Sequence, residues 1–501
     1  MRLEAIATAV AGACALASCG TTGRPTTAAA AANPASTTGS DAFRAQPPEP
    51  EPHDPFVVPV PGTSVLSNGM RLWAIERPTA RGFAATLVVR GGAATFPREP
   101  ANVFRFMAAS MKSGTDARNE EEISAQMNEG FISLTASHDD ASLRLSVKAS
   151  RESFDQALGT MADIALRPAF PVGRIELLRT RYLALAARDP EEMMSVARRN
   201  LFGALFGRGH PYAPTTRDIA ATGAIQRSDV VRAWRESMDP AAATLIVVGP
   251  FETKALGARV QSLFGGWTRD PAAAAPAAPQ PPSPGNARLI VIDRPRSAQA
   301  LVLYGSTIAP VQSPQHLADF VAHELIRGRS STPTAAKVRA AGNNAPGETY
   351  QNIDRGGGIS WWQASVTPDQ AAPLLSALEA RVRDLRDHGP TTGELAEVKD
   401  GLASAQPRAL ETSPGLADSY AESAAHDLPP DHQATLHARL DAITPAAVKA
   451  RVPDPSTMTA VVVGDLSVLR APLLGLGWGP TEVHDKDGTV LGTLSNLRKR
   501  E

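Results

Sequence analysis

The sequence predicts an α+β protein of two homologous halves, each a mostly antiparallel sheet with packed helices. Three observations carry this. First, Arg71, Leu72, Ile75, Arg77 and Pro78 return as Arg288, Leu289, Ile292, Arg294 and Pro295, all at an offset of 217 (71 to 288). Second, Asp239-Pro240, Thr244 and Val247-Val248-Gly249 return as Asp454-Pro455, Thr459 and Val462-Val463-Gly464, at an offset of 215 (239 to 454). Two independent matches at nearly one spacing mark a tandem duplication. Third, strand-like and helix-like segments come in groups rather than in regular βαβ alternation, which argues for antiparallel sheets with segregated helices.

The elements follow in order. Each half opens on its repeat segment and runs into an alternating strand ending in Gly, Thr86 to Gly91 and Ala300 to Gly305. The first half continues through an apolar helix stripe at Phe104, Met107, Ala108 and Met111, spaced i, i+3, i+4, i+7. Helices over 118–129 and 154–167 flank a strand over 143–148, in which Leu143, Leu145 and Val147 alternate. In the second half, 372–387 and 392–405 are helical, and each half closes on a Val-rich strand. Asp270 to Pro284, rich in Ala and Pro, joins the halves as a semi-rigid linker.

Length and charge set the outer bounds. At 501 residues the chain has room for several domains. Fifty Lys+Arg against 51 Asp+Glu give no electrostatic footprint for nucleic acid. Two Cys exclude a disulfide scaffold and a multi-Cys zinc site. At the N-terminus, Met1-Arg2 precedes the small-apolar stretch Ala5 to Ala17 and then Leu16-Ala17-Ser18-Cys19-Gly20, which reads as a secretory signal. Leu-Ala-Ser-Cys also resembles the bacterial lipobox, which implies cleavage before Cys19 and acylation of its thiol. Residues 20–55, rich in Thr, Ala, Pro and Ser, lack the apolar content to fold and read as a tether. The expected organisation is a signal at 1–18, a tether at 19–58, a first domain at 59–268, a linker at 269–285, a second domain at 286–480 and a polar tail at 481–501. The expected location is the bacterial envelope, lipid-anchored at the outer membrane and facing the periplasm.

Several stretches then resemble the pitrilysin/insulinase family of zinc peptidases. They include Leu66-Ser67-Asn68-Gly69-Met70-Arg71, Lys112-Ser113-Gly114-Thr115, Asp163 with Arg167-Pro168-Ala169-Phe170-Pro171, His210-Pro211-Tyr212, and Gly389-Pro390-Thr391 leading to Glu394-Leu395 and Lys399. The likeness covers about residues 60–480. Catalysis in that family uses an inverted His-x-x-Glu-His motif on the first helix and a further Glu downstream. Counting back from Gly114-Thr115, the motif falls on Arg105-Phe106-Met107-Ala108-Ala109. Arg105 stands at the first His, Ala108 at the base and Ala109 at the second His, so none offers a lone pair to zinc or moves a proton. Leu177 to Arg188, where the third ligand should fall, holds no acid. His323-Glu324 has no second His at i+4, and His426 and His432 are separated by Pro429-Pro430. No catalytic or metal-binding residue is therefore expected in this chain.

Zinc-free members of the family pair with a zinc-bearing chain and contribute an Arg/Tyr pair from their second half. The resemblance places that pair on Arg339 and Tyr350, eleven positions apart (339 to 350), which is longer than the family's spacing. It also places a substrate-binding edge strand at Leu134-Thr135-Ala136-Ser137. The implied function is a non-catalytic subunit of an envelope peptidase complex that helps bind peptides, with zinc only in a homologous partner. The alternatives are a structural or peptide-binding lipoprotein without a role in proteolysis and, against Arg105, Ala108 and Ala109, an autonomous zinc peptidase.

Overall fold

The computed structural model describes residues 57–96, 102–186, 192–207, 209–213, 217–273, 281–286, 288–327 and 348–496. Cys19, the 20–55 segment, linker residues 274–280 and Arg339 lie outside the described residues.

The first half contributes β1 (Gly62–Val65), β2 (Arg71–Glu76), β3 (Gly82–Arg90), β4 (Ser133–His138), β5 (Ser142–Ser150) and β6 (Ala243–Gly249). Among the described residues these form one sheet in the order β1-β2-β6-β3-β5-β4. Its helices are α1 (Val103–Ser110), α2 (Glu120–Glu129), α3 (Phe154–Leu166), α4 (Val172–Ala186), α5 (Met193–Phe206), α6 (Arg217–Ala224), α7 (Arg227–Ser237) and α8 (Thr253–Phe264). The second half contributes β7 (Leu289–Asp293), β8 (Ala300–Ile308), β9 (Glu348–Asp354), β10 (Gly357–Val366), β11 (Thr459–Gly464), β12 (Thr481–His484) and β13 (Val490–Thr493), ordered β13-β12-β7-β11-β8-β10-β9. Its helices are α9 (His316–Arg327), α10 (Ala371–His388), α11 (Thr392–Leu410), α12 (Ser413–Ala425), α13 (Leu436–Asp441), α14 (Pro445–Lys449) and α15 (Leu466–Leu474).

The duplication holds to the level of register. Arg71 lies opposite Thr244 in the parallel pair β2·β6, and Leu289 opposite Ala460 in β7·β11, the same register once the two offsets are applied. Ala84 faces Val248 in the first sheet as Leu301 faces Val463 in the second. Even the turn after the first repeated strand is shared: Arg77 N–H donates to the Gly249 carbonyl at 2.8 Å and Arg294 N–H to Gly464 at 2.7 Å. Both sheets are mixed rather than purely antiparallel, because the Val-rich closing strand inserts beside the opening strand in parallel.

Each sheet packs its own helices on one face and a borrowed helix on the other. Leu416, Ala417, Tyr420, Ala421 and Ala424 of α12 cover Trp73, Ile75, Val88 and Ile246 of the first sheet. Their spacing of i, i+1, i+4, i+5, i+8 makes one apolar face, and the small Ala side chains let the helix sit close to the strands. In return Val196, Ala197, Leu201, Phe202 and Leu205 of α5 cover Ile290, Leu303, Trp361 and Val461 of the second sheet. The exchange makes the halves one body. The described end of the linker follows α5: Ser283 and Gly285 N–H groups donate to the Phe206 and Ala204 carbonyls, capping the helix C-terminus. Gly207, at φ 99°, is required there, since a Cβ would stand 2.8 Å from the Ser283 carbonyl oxygen.

Two expectations need correction. The segment from 481, expected as a polar tail, adds β12 and β13 to the second sheet, with β12 parallel to β7. β7 would otherwise expose a row of unpaired backbone groups, and Val483, 1% exposed, anchors the added strand in the core. The helix expected to end at 405 continues as α11 to Leu410 through Pro407. Gln406 donates to the Gln433 carbonyl at 2.7 Å and Leu410 is buried against the first sheet, so tertiary contacts outweigh the proline. Among the described residues, no helix is long and apolar enough to cross a membrane.

Candidate functional site

The helix that carries the degenerate motif is intact. Phe104, Met107, Ala108 and Met111 are buried in the first core, together with Val103 and Phe106. Ala108 is 4% exposed, Ala109 is half-buried, and Arg105 points outward. On α4, the helix where a third zinc ligand would be sought, Tyr182 fills the space instead. The Arg105 guanidinium lies 5.5 Å from the centre of the Tyr182 ring, and the Phe106 ring lies 5.3 Å from it. A guanidinium, two methyl groups and a phenol ring are not a zinc donor set. Among the described residues, no group of three His, Cys, Asp or Glu stands close enough to hold a metal ion.

The expected edge strand is an edge. Among the described residues β4 ends the first sheet, paired to β5 and to no other strand, with Leu134 buried and Ser133 and Thr135 exposed. α1 packs against its inner face. Leu134 and Ala136 face that core, and His138, two residues further, shares their face. The His138 Nδ1 is buried without a hydrogen-bond partner. Burial, then the Arg105 charge, hold the His138 pKa down at about 4 against the opposing pull of Asp139.

The turn that closes β4 is tied to the second half. Asp139 Oδ1 accepts from the Ala141 and Ser142 N–H groups at 2.9 and 2.7 Å, and Oδ2 pairs with Arg144 at 2.9 Å. Arg144 also meets Glu422 of α12 at 2.6 Å, and Glu422 meets His426 at 3.1 Å. Beside them Asp427 receives both Arg71 and Arg90, at 3.0 and 2.9 Å.

Of the expected Arg/Tyr pair, Tyr350 alone is described. It sits on the edge strand β9 opposite Trp361, with the rings stacked 5.5 Å apart at 17°. Its hydroxyl donates to the Glu348 carboxylate on the same strand. Arg198 of α5 lies over Trp361 at 5.5 Å and over Phe202 at 5.4 Å, so Tyr350 ends a stack rooted under the borrowed helix.

The shared motif stretches explain themselves as framework. Asp163 clamps Arg118 and Arg167, at 2.6 and 3.0 Å, and Ala169 N–H donates to the Gly114 carbonyl at 3.0 Å. Burial pushes the Asp163 carboxyl up, but the hydrogen bonds from Arg118, Thr115 and Arg167 bring it below its ordinary value. His210 stacks on Phe206 at 5.1 Å, beyond the end of α5.

One polar cluster was not legible in the sequence. His323 Nδ1 lies 2.9 Å from the Asp319 carbonyl oxygen and Nε2 3.0 Å from Ser306 Oγ. The carbonyl can only accept, so Nδ1 carries the proton and Ser306 donates to Nε2. Asp319 in turn holds Arg451 at 2.5 and 3.0 Å, beside a cavity of about 210 Å³. His323-Glu324 drew notice for a second His that is absent, whereas the real partners come from β8 and the segment after α14. Ser306 lies 17 residues away and Arg451 is separated by 132 residues from Asp319, so no local pattern marks them.

Comparison with known proteins agrees with this geometry. Residues 224–402 match the family described as Peptidase M16 inactive domain. No curated protein matches the sequence. Among solved structures, the M16 inactive domain from Pseudomonas fluorescens is similar at 16% identity and TM-score 0.73, covering 81% of this chain and 98% of that one. A protease from Helicobacter pylori is similar at 14% and 0.70, covering 81% of this chain and 100% of that one. The periplasmic protease PqqL from Escherichia coli is similar at 16% and 0.65, and the match covers 84% of this chain but 50% of PqqL. The duplicated sheets thus form the two-half fold of the solved M16 proteins, and the segment 224–402 of this chain matches the M16 inactive-domain family.

Proposed function

We propose that this chain is the zinc-free subunit of an envelope metallopeptidase complex, holding extended peptides for a zinc-bearing homologous partner. One observation carries the reading: α1 packs against β4, which is an edge strand among the described residues, while the positions that the family resemblance assigns to zinc are Arg105, Ala108 and Ala109. A sheet edge binds peptide backbone with little regard to sequence, which suits a subunit that presents rather than cleaves. That this chain corresponds to half of a periplasmic protease supports both a partner and an envelope location. The deciding experiment is reconstitution. A zinc-bearing homologue should co-purify with this chain, and the two together should cleave peptides that this chain alone leaves intact. No association, or equal cleavage without this chain, would count against the proposal.

Tyr350 tests the same reading inside the complex. If its hydroxyl leaves Glu348 to meet a scissile carbonyl, Tyr350→Phe should lower turnover by about a hundredfold, as losing one oxyanion donor does, with assembly unchanged. Full activity would favour the second reading, a structural or peptide-binding lipoprotein. The commitment of the hydroxyl to Glu348 and of the ring to Trp361 is the observation on that side.

The envelope address is tested at Cys19. Acylation there with several chains would anchor the protein firmly, since a single chain binds only marginally. Cys19→Ser should shift the protein from the membrane to the soluble fraction, and mass spectrometry of the unaltered protein should find an acylated N-terminal peptide. Unchanged membrane retention of the variant would end the lipid-anchor assignment.

A further inference from the structure

We infer that Ser306 and His323 form a nucleophile–base pair at the floor of the cavity beside Arg451, and that the pair takes the acyl group of a small carboxylic ester. This is an activity of the second half, separate from peptide holding on the first.

The pair has the geometry that activates a serine. Ser306 Oγ lies 3.0 Å from His323 Nε2, and Nδ1 lies 2.9 Å from the Asp319 carbonyl oxygen. That carbonyl keeps the ring proton on Nδ1, so the nitrogen next to Ser306 is the one that can accept a proton. A hydroxyl held by a histidine, with the histidine oriented by a third group, is how enzymes prepare a serine nucleophile. Burial holds the imidazole below its ordinary pKa, which keeps it in the base form at neutral pH. The Asp319 carbonyl and carboxylate pull the other way and favour the protonated ring once the proton has moved.

The fold does not require these two polar residues. Subtracting the repeat offset of 217 from 306 and 323 gives Val89 on β3 and Phe106 on α1. The strand register supports the equivalence, with Ala84 placed as Leu301 is, and α1 and α9 end at Ser110 and Arg327, again 217 apart (110 to 327). Val89 and Phe106 are fully buried, so the first half packs the same two places with hydrocarbon. The second half puts there a hydroxyl and an imidazole, 2% and 6% exposed, and both line a cavity of about 210 Å³. Ala450 and Thr457 on the lining are exposed, so the cavity opens to solvent while its floor is buried. Sites that enclose a drug-sized ligand measure about 300–1,000 Å³, so this smaller one has room for a short acyl group and none for a peptide chain.

Arg451 forms part of the wall. It gives Nε and Nη2 to Asp319 at 2.5 and 3.0 Å, and Nη1 lies outside that pair. Nη1 is the donor for an ester oxygen as it becomes an oxyanion. Ser306 Oγ attacks the ester carbonyl carbon while its proton passes to His323 Nε2. The bond from carbon to the alcohol oxygen breaks, and the alcohol leaves with that proton. Water then attacks the acyl-serine: His323 takes its proton, the water oxygen bonds the carbonyl carbon, and Ser306 regains a proton as the carboxylic acid departs.

The test treats the full-length chain with diisopropyl fluorophosphate, in which Oγ bonds phosphorus, fluoride leaves and the hydroxyl proton goes to His323. Intact mass and peptide mapping should find one adduct, on Ser306. p-Nitrophenyl acetate should be hydrolysed by the untreated chain and not by the treated one. Ser306→Ala should react with neither reagent, and His323→Phe should slow both reactions by about a hundredfold or more, the share of a general base. Replacing the pair together, Ser306→Val with His323→Phe, copies the first half. That variant should fold with an unchanged or higher Tm and still react with neither reagent, which separates loss of the nucleophile from loss of the fold. Three results would each overturn the site: no adduct on Ser306 in the unaltered chain, an adduct formed at the same rate in His323→Phe, or full ester hydrolysis by Ser306→Ala. The pair would then be a core hydrogen bond, and the peptide-holding reading would stand, since it does not involve this cavity.

Discussion

Changing Arg105→His, Ala108→Glu and Ala109→His together should rewrite the motif without producing a zinc peptidase. The unaltered chain is expected to carry no stoichiometric zinc and to cleave no peptide alone, and the triple variant should behave the same way. The reasons are local. Two imidazoles on one helical face give two ligands, and a catalytic zinc site uses three plus an open position. The sequence from Leu177 to Arg188 has no acid to supply the third, and Tyr182 occupies the α4 face opposite Arg105. Ala108 is 4% exposed within the core, so a Glu side chain there meets packed Phe and Met rather than a water-filled site. Adding Tyr182→Glu should change the outcome for the metal, because it puts a carboxylate on the face that looks toward position 105. Metal analysis after dialysis, and cleavage of a fluorogenic peptide with and without chelator, check the series. Chelator-sensitive cleavage by the unaltered chain or by the triple variant, free of any partner, would sink this account.

What the sequence made legible, and what it did not, divides along contact range. The offsets of 217 and 215 predicted equivalent strands because both repeats lie on strands whose side chains face a core on each side, and such strands tolerate little drift in register. The stripe at Phe104, Met107, Ala108 and Met111 was readable because its partners are set by helical period alone. The exchange of α5 and α12 between the halves was not readable. Their apolar faces say only that they are buried, not against which sheet. Likewise β12 is four residues long with one fully buried apolar residue, too short for alternation to emerge, and its place is set by the open side of β7. The approach of Tyr182 to Arg105 and of Ser306 to His323 depends on packing between elements, to which no spacing rule applies.

The second large effect is expected at the joint between the halves. Arg144→Ala should destabilise the protein by about 3–5 kcal/mol, the usual cost of leaving one member of a buried ion pair alone. Arg144 and Glu422 are only 15% and 18% exposed, so water does little to screen them. Burial by itself pushes the Glu422 carboxyl up, but Arg144 and His426 overrule it and hold it well below the usual carboxylate range. A carboxyl with a depressed pKa contributes stability above its unfolded value of about 4.3 and loses it as the pH falls through the interval beneath. Urea denaturation of the unaltered chain should therefore show stability falling with acid below about pH 4. That slope should flatten in Glu422→Gln, which cannot titrate. Arg144 stays protonated throughout, held above its ordinary value by Glu422 and Asp139 despite its burial. Asp418 works in the opposite sense: burial raises its carboxyl above the ordinary value although Lys148 and Arg144 pull it down. Asp418→Asn should accordingly steepen the acid dependence that remains. In a double-mutant cycle, Arg144→Ala with Glu422→Ala should cost less than the sum of the two single changes, because neither member of this pair is then left facing the other's vacated place. An apolar replacement of the pair, Arg144→Met with Glu422→Leu, should recover most of the loss. If Arg144→Ala cost less than about 1 kcal/mol, the value of a solvated surface pair, the joint would not depend on this cluster. The reciprocal packing of α12 on the first sheet and of α5 on the second would then hold the halves together.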